Sequence, residues 1–222
     1  AICGLAVADA AAQGNWQPGD FGAVRLRLGV FTPQGSSEFW DDYFSDFTGT
    51  TDDLEDLSFG ADYLWRTSRS SGLLFGMSFY EGSTTVAYRD WVDADGFDIR
   101  HATELTLTDL SAAYVVRAGG RGAHPYIGAG AGLLWWRFLE EGSFIDFGDP
   151  ELPIVQASYL ADGLTWELFA LAGLEVPLAS SWGVFFEGRY RWAEDELGDD
   201  FAGFGTIDLS GWELAAGFSW NF

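Results

Sequence analysis

The sequence predicts an all-β chain: one up-and-down antiparallel barrel of eight strands that crosses a membrane. Three observations carry that expectation. Stretches of about ten residues alternate in polarity with a period of two, as in strands with one apolar and one polar face. Eight such stretches occur, joined by connections that alternate between short and long. No run of 18 or more apolar residues is present, which excludes a conventional membrane-spanning helix but not a barrel.

The first strand starts near Phe21. In FGAVRLRLGVF, Val24, Leu26, Leu28 and Val30 share one face, and Arg25, Arg27 and Gly29 the other. The second runs from Leu57 to Arg66, with Phe59, Ala61, Tyr63 and Trp65 opposite Ser58, Gly60, Asp62 and Leu64. The third, from Leu73 to Tyr80, sets Phe75, Met77 and Phe79 against Gly76 and Ser78. The fourth ends at Arg117, with Leu110, Ala112, Tyr114 and Val116 opposite Asp109, Ser111, Ala113 and Val115. Leu105 and Leu107 fall on the wrong parity, so either a bulge lies near Thr108 or this part of the strand stands outside the membrane.

The fifth strand, PYIGAGAGLLWWRF, places Ile127, Ala129, Ala131, Leu133 and Trp135 on one face and Gly128, Gly130 and Gly132 on the other. Those glycines suit curvature or bulky inward neighbours. A phosphate loop is excluded, because G-x-x-x-x-G-K-[ST] is absent and no helix follows. The sixth strand, Thr165 to Val176, sets Leu168, Ala170, Ala172 and Leu174 against Glu167, Phe169, Leu171, Gly173 and Glu175. The seventh, Val184 to Trp192, sets Phe186, Gly188, Tyr190 and Trp192 against Glu187, Arg189 and Arg191. The eighth sets Trp212, Leu214, Ala216, Phe218, Trp220 and Phe222 against Glu213, Ala215, Gly217, Ser219 and Asn221.

The connections at 67–72, 118–124 and 177–183 are short; those at 32–56, 81–103, 139–164 and 193–208 are long and polar. Short turns on one side and long loops on the other are the asymmetry of an outer-membrane barrel, and an even strand number lets the first strand close on the last. The long segments and their margins hold 26 of the 34 acidic residues, so one mouth is expected to carry an acidic crown. The net charge of −23 excludes nucleic acid as a partner and favours cations or basic partners at that crown. An acidic excess also suits a solvated surface or a salt-loving source.

The chain's 222 residues suffice for one domain. Cys3 is the sole cysteine, so no internal disulfide is available. The start, AICGLAVADAAAQ, contains two A-x-A matches, Ala8–Ala10 and Ala10–Ala12, and resembles the end of a secretory signal peptide. Residues 1–20 are therefore expected to be such a remnant or an N-terminal tail, and 21–222 the barrel domain. Ile2 disfavours a lipid anchor on Cys3.

PYIGAGAG at 125–132, WGVFFEGRYRW at 182–192 and GWELAAGFSWNF at 211–222 carry a resemblance to the small eight-stranded outer-membrane β-barrel superfamily, OmpA-like transmembrane domain and OmpW-like. It covers about 21–222. The terminal Phe222, with Trp220 and Phe218, is similar to the signal read by the outer-membrane barrel assembly machinery. The resemblance implies a bacterial outer-membrane location and lipids of that membrane as surroundings. Such barrels include structural proteins, adhesins, narrow channels, hydrophobic-compound transporters and a few enzymes, so the resemblance leaves function open.

An eight-stranded barrel is narrow. Arg25, Arg27, Arg66, Arg117, Arg189 and Arg191 face Asp62, Asp109, Glu167, Glu175, Glu187 and Glu213 on the predicted inner faces, and an ion-paired, mostly closed lumen is expected. A narrow polar pathway is the alternative. Asp93, Asp95 and Asp98, with Gly96, make the 90–104 segment a weak calcium candidate, although Trp91 stands at the first-ligand position of the strict loop motif. No other cofactor is expected. His101 and His124 lie at opposite ends, and no nucleophile or metal-hydrolase pattern accompanies them, so an enzyme is not expected. Trp65, Trp135, Trp166, Trp192, Trp212, Trp220, Tyr126 and Tyr190 are candidates for interfacial girdles. Trp40 and Phe44 either pack a cap over the mouth or anchor a partner. The sequence thus points to a structural or surface-interaction barrel, with a passive channel or a transporter of small or hydrophobic compounds as the alternative. A soluble sandwich or lipocalin-like barrel is the main rival fold.

Overall fold

A computed structural model of the chain describes residues 22–118 and 122–222. The expected signal remnant or tail, Cys3 and Phe21 lie outside the described residues, as do 119–121 of one short turn. The strands are β1 (Gly22–Pro33), β2 (Asp56–Arg66), β3 (Ser71–Val92), β4 (Asp98–Arg117), β5 (His124–Ile145), β6 (Ile154–Pro177), β7 (Trp182–Trp192), β8 (Glu194–Glu196), β9 (Thr206–Asp208) and β10 (Gly211–Asn221). Eight of them close a barrel in the order β1-β10-β7-β6-β5-β4-β3-β2, every neighbour antiparallel. The closing pair runs from Ala23 opposite Asn221 to Pro33 opposite Gly211. Closure leaves no backbone edge facing lipid. The short β8–β9 ribbon stands apart from the ring.

Polarity is inside out relative to a soluble barrel. Leu26 is 59% exposed while its neighbours Arg25 and Arg27 are buried. Ile127, Leu168, Phe186, Leu214 and Phe218 are likewise exposed. An outward apolar wall of this kind is stable only against hydrocarbon, which rules out the sandwich and lipocalin-like rivals. Among the described residues no helix is long and apolar enough to cross a membrane; the strands do so.

Tryptophans mark the two edges of the apolar band. Trp65, Trp182 and Trp220 are exposed at the short-turn end, where Trp182 and Trp220 stack at 5.6 Å. Trp135, Trp166, Trp192 and Trp212 are exposed towards the other end, where Tyr190 packs edge-on against Trp192 and Trp212. From Trp182 to Trp192 the chain advances about 33 Å, which at a tilt of about 40° is about 25 Å, the height of an outer-membrane band. Tyr126 departs from its expected girdle role: it is buried inside the lumen. It shares strand parity with Gly128, Gly130 and Gly132, so its inward aim follows from the alternation itself.

The wall is uneven in height. Four strands, β1, β2, β7 and β10, have 11 or 12 residues, whereas β3 to β6 have 20 to 24. The expected loops 81–103 and 139–164 are therefore mostly strand, with tight tips at 93–97 and 146–153. No bulge lies near Thr108. Pairing of β4 runs without a shift from Arg100 to Val116 against β3 and from His101 to Arg117 against β5; the irregularity in β3 lies between Ala87 and Val92. Inward residues continue as Leu107, Leu105, Thr103, His101 and Ile99, all buried. Above the lipid, water lies outside the wall, so the interior takes the apolar side chains and the outer face the polar ones. The polarity of the faces inverts while the register is unbroken.

The other two long connections fill the mouth. Residues 34–55 hold helix α1 (Glu38–Asp46) and a 3-10 turn at Thr51–Leu54. In α1, Phe39, Trp40 and Tyr43 fall on one face by the i, i+3/i+4 spacing and are all buried; Glu38 and Asp41 suit its N-terminus. Residues 193–210 hold β8, a 3-10 turn at Asp199–Phe201 and β9.

Candidate functional site

The interior is layered, and each layer is built by a few inward positions. The middle layer is ionic. Arg25 donates from Nη2 to Glu187 Oε2 at 2.8 Å. Arg27 reaches Asp62 at 2.5 Å and Glu213 at 3.5 Å. Arg189 lies 3.3 Å from Glu187 and 4.0 Å from Asp62. Arg191 lies 2.8 Å from Asp109 and 2.6 Å from Glu167. Ser58 donates to Glu213 at 2.7 Å, and Ser78 donates to Asp109. Tyr126 accepts from Arg25 at 2.7 Å and donates to Glu187 at 2.9 Å.

All nine of these charged side chains, four guanidiniums and five carboxylates, are buried. Three of the guanidiniums also lie over aromatic faces: Arg25 over Phe185 at 3.8 Å, Arg189 over Phe169 at 4.7 Å and Arg191 over Phe31 at 5.3 Å. Glycine makes the network fit. A Cβ at Gly132 would stand 2.7 Å from Glu167 Oε1, and one at Gly60 would collide with the Arg27 guanidinium. Between this layer and the short-turn mouth, Arg25, Leu64, Val115, Tyr126 and Glu175 border a gap of about 20 Å³. That is room for about one water.

Arg66, Arg117 and Glu175 sit apart, at the short-turn mouth. Arg117 lies 3.5 Å from Glu175, which accepts from Ser219 at 2.7 Å, and Arg66 donates to Asn221. They border a cleft of about 140 Å³ with His124. The predicted lumen residues thus divide into a central group and a mouth group.

Above the ionic layer lies an aromatic plug. Trp40 packs edge-on against Phe138 at 5.6 Å, Phe39 against Phe138 at 5.5 Å and Phe138 against Phe201 at 5.2 Å. Trp40 Nε1 donates to the Asp208 carbonyl at 2.9 Å, tying α1 to β9. Trp40 is 1% exposed and stacks on Phe44 at 5.8 Å, so these aromatics cap the mouth and Trp40 is no free anchor. Leu105, Leu107, Leu134 and Trp136 line the same cluster from the wall.

At the top of the plug, Tyr43 shares a hydrogen bond with Thr103 at 2.7 Å and lies 3.3 Å from His101 Nε2, itself 3.1 Å from Glu140 Oε1. Burial, followed by the nearby Glu140 carboxylate, holds the Tyr43 hydroxyl well above the usual phenol range. The His101 side chain is fully enclosed, stacked on Phe144 at 4.4 Å. Sequence reasoning missed this cluster: Tyr43 and Glu140 lay in segments read as loops. The inward parity of His101, Thr103, Leu105 and Leu107 was the available signal.

The calcium candidates are not gathered into a ligand set. Asp93 Oδ1 accepts from the backbone of Asp95 at 2.9 Å and of Phe97 at 2.8 Å, closing the tip, while Asp98 pairs with Arg100 at 2.7 Å. Among the described residues no group of three or more His, Cys, Asp or Glu is placed to hold a metal.

No protein-family model matches the chain, and no curated protein matches it in sequence. Solved structures do resemble it. Neisserial surface protein A superposes with a TM-score of 0.55 at 12% identity, over 91% of this chain and 97% of its own. OprG, an outer membrane protein of Pseudomonas aeruginosa, gives 0.53 at 12% identity over 92% and 97%. OmpT, an outer membrane protease of Escherichia coli, gives 0.52 at 10% identity over 95% and 99%. The fold is that of the bacterial outer-membrane β-barrels, as the resemblance to small OmpA-like and OmpW-like barrels implied, and its apolar wall belongs in a membrane.

Proposed function

We propose that the chain is a non-enzymatic surface-interaction barrel of the outer membrane, with a closed lumen and an acidic external face that draws cations and basic partners. The barrel rests in outer-membrane lipid and is inserted by the barrel assembly machinery. The observation that carries the closed-lumen reading is the stacking of two seals, the paired arginine–carboxylate layer and the plug of Phe39, Trp40, Phe138 and Phe201. A solute path would have to break both. The enclosed His101 supports a non-enzymatic role, since neither the clustered hydroxyls nor the imidazole reach solvent.

Planar-bilayer recording tests this reading. The purified, folded chain is expected to give no conductance or only rare, very small steps. Stable large steps would replace the reading with the passive channel or transporter.

A further inference from the structure

The two tallest hairpins carry apolar residues that the fold does not use. Trp91 and Phe97 on the β3–β4 tip are 42% and 69% exposed, and Phe147 on the β5–β6 tip is 59% exposed. Val92, Leu152 and Ile154 beside them are exposed as well. Strands β4 and β5 are paired, so the tips are neighbours, and Trp91 meets Phe147 edge-on at 5.7 Å across them. Lipid cannot be their cover. From Phe79, at the edge of the apolar band, to Trp91 the strand advances about 40 Å, or about 30 Å along the barrel axis. Exposed apolar side chains gathered on two adjacent tips, with Trp91 and Phe147 in contact across them and held in water at that height, mark a contact surface.

The patch is held in place before any contact. Asp93 closes the first tip through two backbone amides. On the second, Asp146 accepts from the Gly148 amide and Asp149 from the Glu151 amide, both at 2.9 Å. Leu152 has a φ of 49°, a left-handed backbone that bulky residues rarely adopt, so the turn fixes the neighbourhood of an exposed leucine. Little ordering remains to oppose association.

Charge identifies the complement. Asp90, Asp93, Asp95 and Asp98 flank the aromatics of the first tip, and Asp146, Asp149 and Glu151 those of the second. The basic residues nearby are occupied: Arg100 pairs with Asp98, and Arg89 donates from Nε to the Phe44 carbonyl at 2.9 Å. An aromatic centre with a carboxylate rim suits an apolar segment studded with lysine or arginine and repels anionic saccharides and phosphates.

We propose that the paired β3–β4 and β5–β6 tips are a docking surface for a cationic, amphipathic segment of another protein, seated on Trp91, Phe97 and Phe147. This rests on the surface-interaction reading and names the surface and the chemistry of its partner.

The test uses the full chain folded in lipid nanodiscs, with three fluorescently labelled probes. One is a 14-residue amphipathic peptide with lysines on its polar face, the second the same peptide with glutamates, the third a neutral maltooligosaccharide. Anisotropy titrations at low and high salt are compared for the wild type, W91A/F147A and D95N/E151Q. Retention of the unheated gel-mobility shift establishes that each barrel is folded. The lysine peptide alone is expected to bind, W91A/F147A to weaken it at least about tenfold at both salts, and D95N/E151Q to flatten its salt dependence. Three results overturn the proposal: no binding of the lysine peptide, equal binding to W91A/F147A, or binding of the saccharide that W91A/F147A abolishes. Because the closed lumen is tested by conductance, failure here leaves that reading standing, and a conducting lumen leaves this result untouched.

Discussion

Arg25 on β1 and Glu187 on β7 meet at 2.8 Å although β10 lies between their strands. The pair bridges the lumen and does not staple neighbouring strands. Glu187 also receives Tyr126 from β5 and lies 3.3 Å from Arg189. One carboxylate therefore holds groups from three strands around the ring.

Glu187→Ala should accordingly destabilise the barrel by about 3–5 kcal/mol, because it leaves Arg25 buried without its counter-charge. Replacing both partners, Arg25→Met with Glu187→Met, should recover much of that loss. Urea unfolding in lipid vesicles, followed by tryptophan fluorescence, measures both. A single variant within about 1 kcal/mol of the wild type would show that the pair does not matter.

The inversion of face polarity yields a contrast between two outward positions. Leu26 faces lipid, whereas Glu104 is outward on β4 beyond the apolar band. Leu26→Arg should cost about 2–4 kcal/mol if it lies near the bilayer midplane, and Glu104→Arg about 0–1 kcal/mol. Equal costs in the same unfolding assay would mean that the band is misplaced.

Trp40→Ala removes the centre of the plug and the bond to the Asp208 carbonyl. Its effect should be confined to the mouth, since the ring of strands and the ionic layer do not depend on it. Docking of 34–55 should weaken by about 3–5 kcal/mol. Limited proteolysis should then cut 34–55 readily while the core barrel keeps its unheated gel mobility. Loss of that mobility would contradict the layered interior.

Strand existence and facing were legible because one rule, apolar out and polar in, holds through the membrane band. Arg25, Asp62, Asp109 and Glu187 point inward as alternation alone predicts. The rule's reach ends at the lipid surface. Leu105 and Leu107 looked misplaced because they obey the opposite rule, apolar in and polar out, on the same unbroken strand. Strand length was lost for the same reason, and 81–103 and 139–164 read as loops. Partners within the lumen were illegible, since pairs such as Arg25–Glu187 follow from tilt and stagger around a closed ring, not from sequence spacing. Helix α1 had a readable signal in Ser37 and the spacing of Phe39, Trp40, Tyr43 and Phe47, but nine residues inside an acidic segment carry little weight.

The plug should also respond to alkali through Tyr43. Its hydroxyl is held high by burial and by Glu140 on β5; His101 on β4 and Tyr88 on β3 complete the charged and titratable surroundings. An undocked α1 would return Tyr43 to the ordinary range of about 10. A group whose folded pKa is raised stabilises the folded form fully below its unfolded pKa, and that stability is lost as pH rises above it. Docking should therefore be insensitive to pH near 8 and weaken above about pH 10, by up to about 1.4 kcal/mol per pH unit for this one group. Tyr88, also raised by burial, should add a smaller share in the same direction. Proteolysis of 34–55 as a function of pH should steepen above 10 in the wild type and less so in Tyr43→Phe, which has no hydroxyl to ionise. Identical pH profiles for the two would remove Tyr43 as the source of the alkaline release.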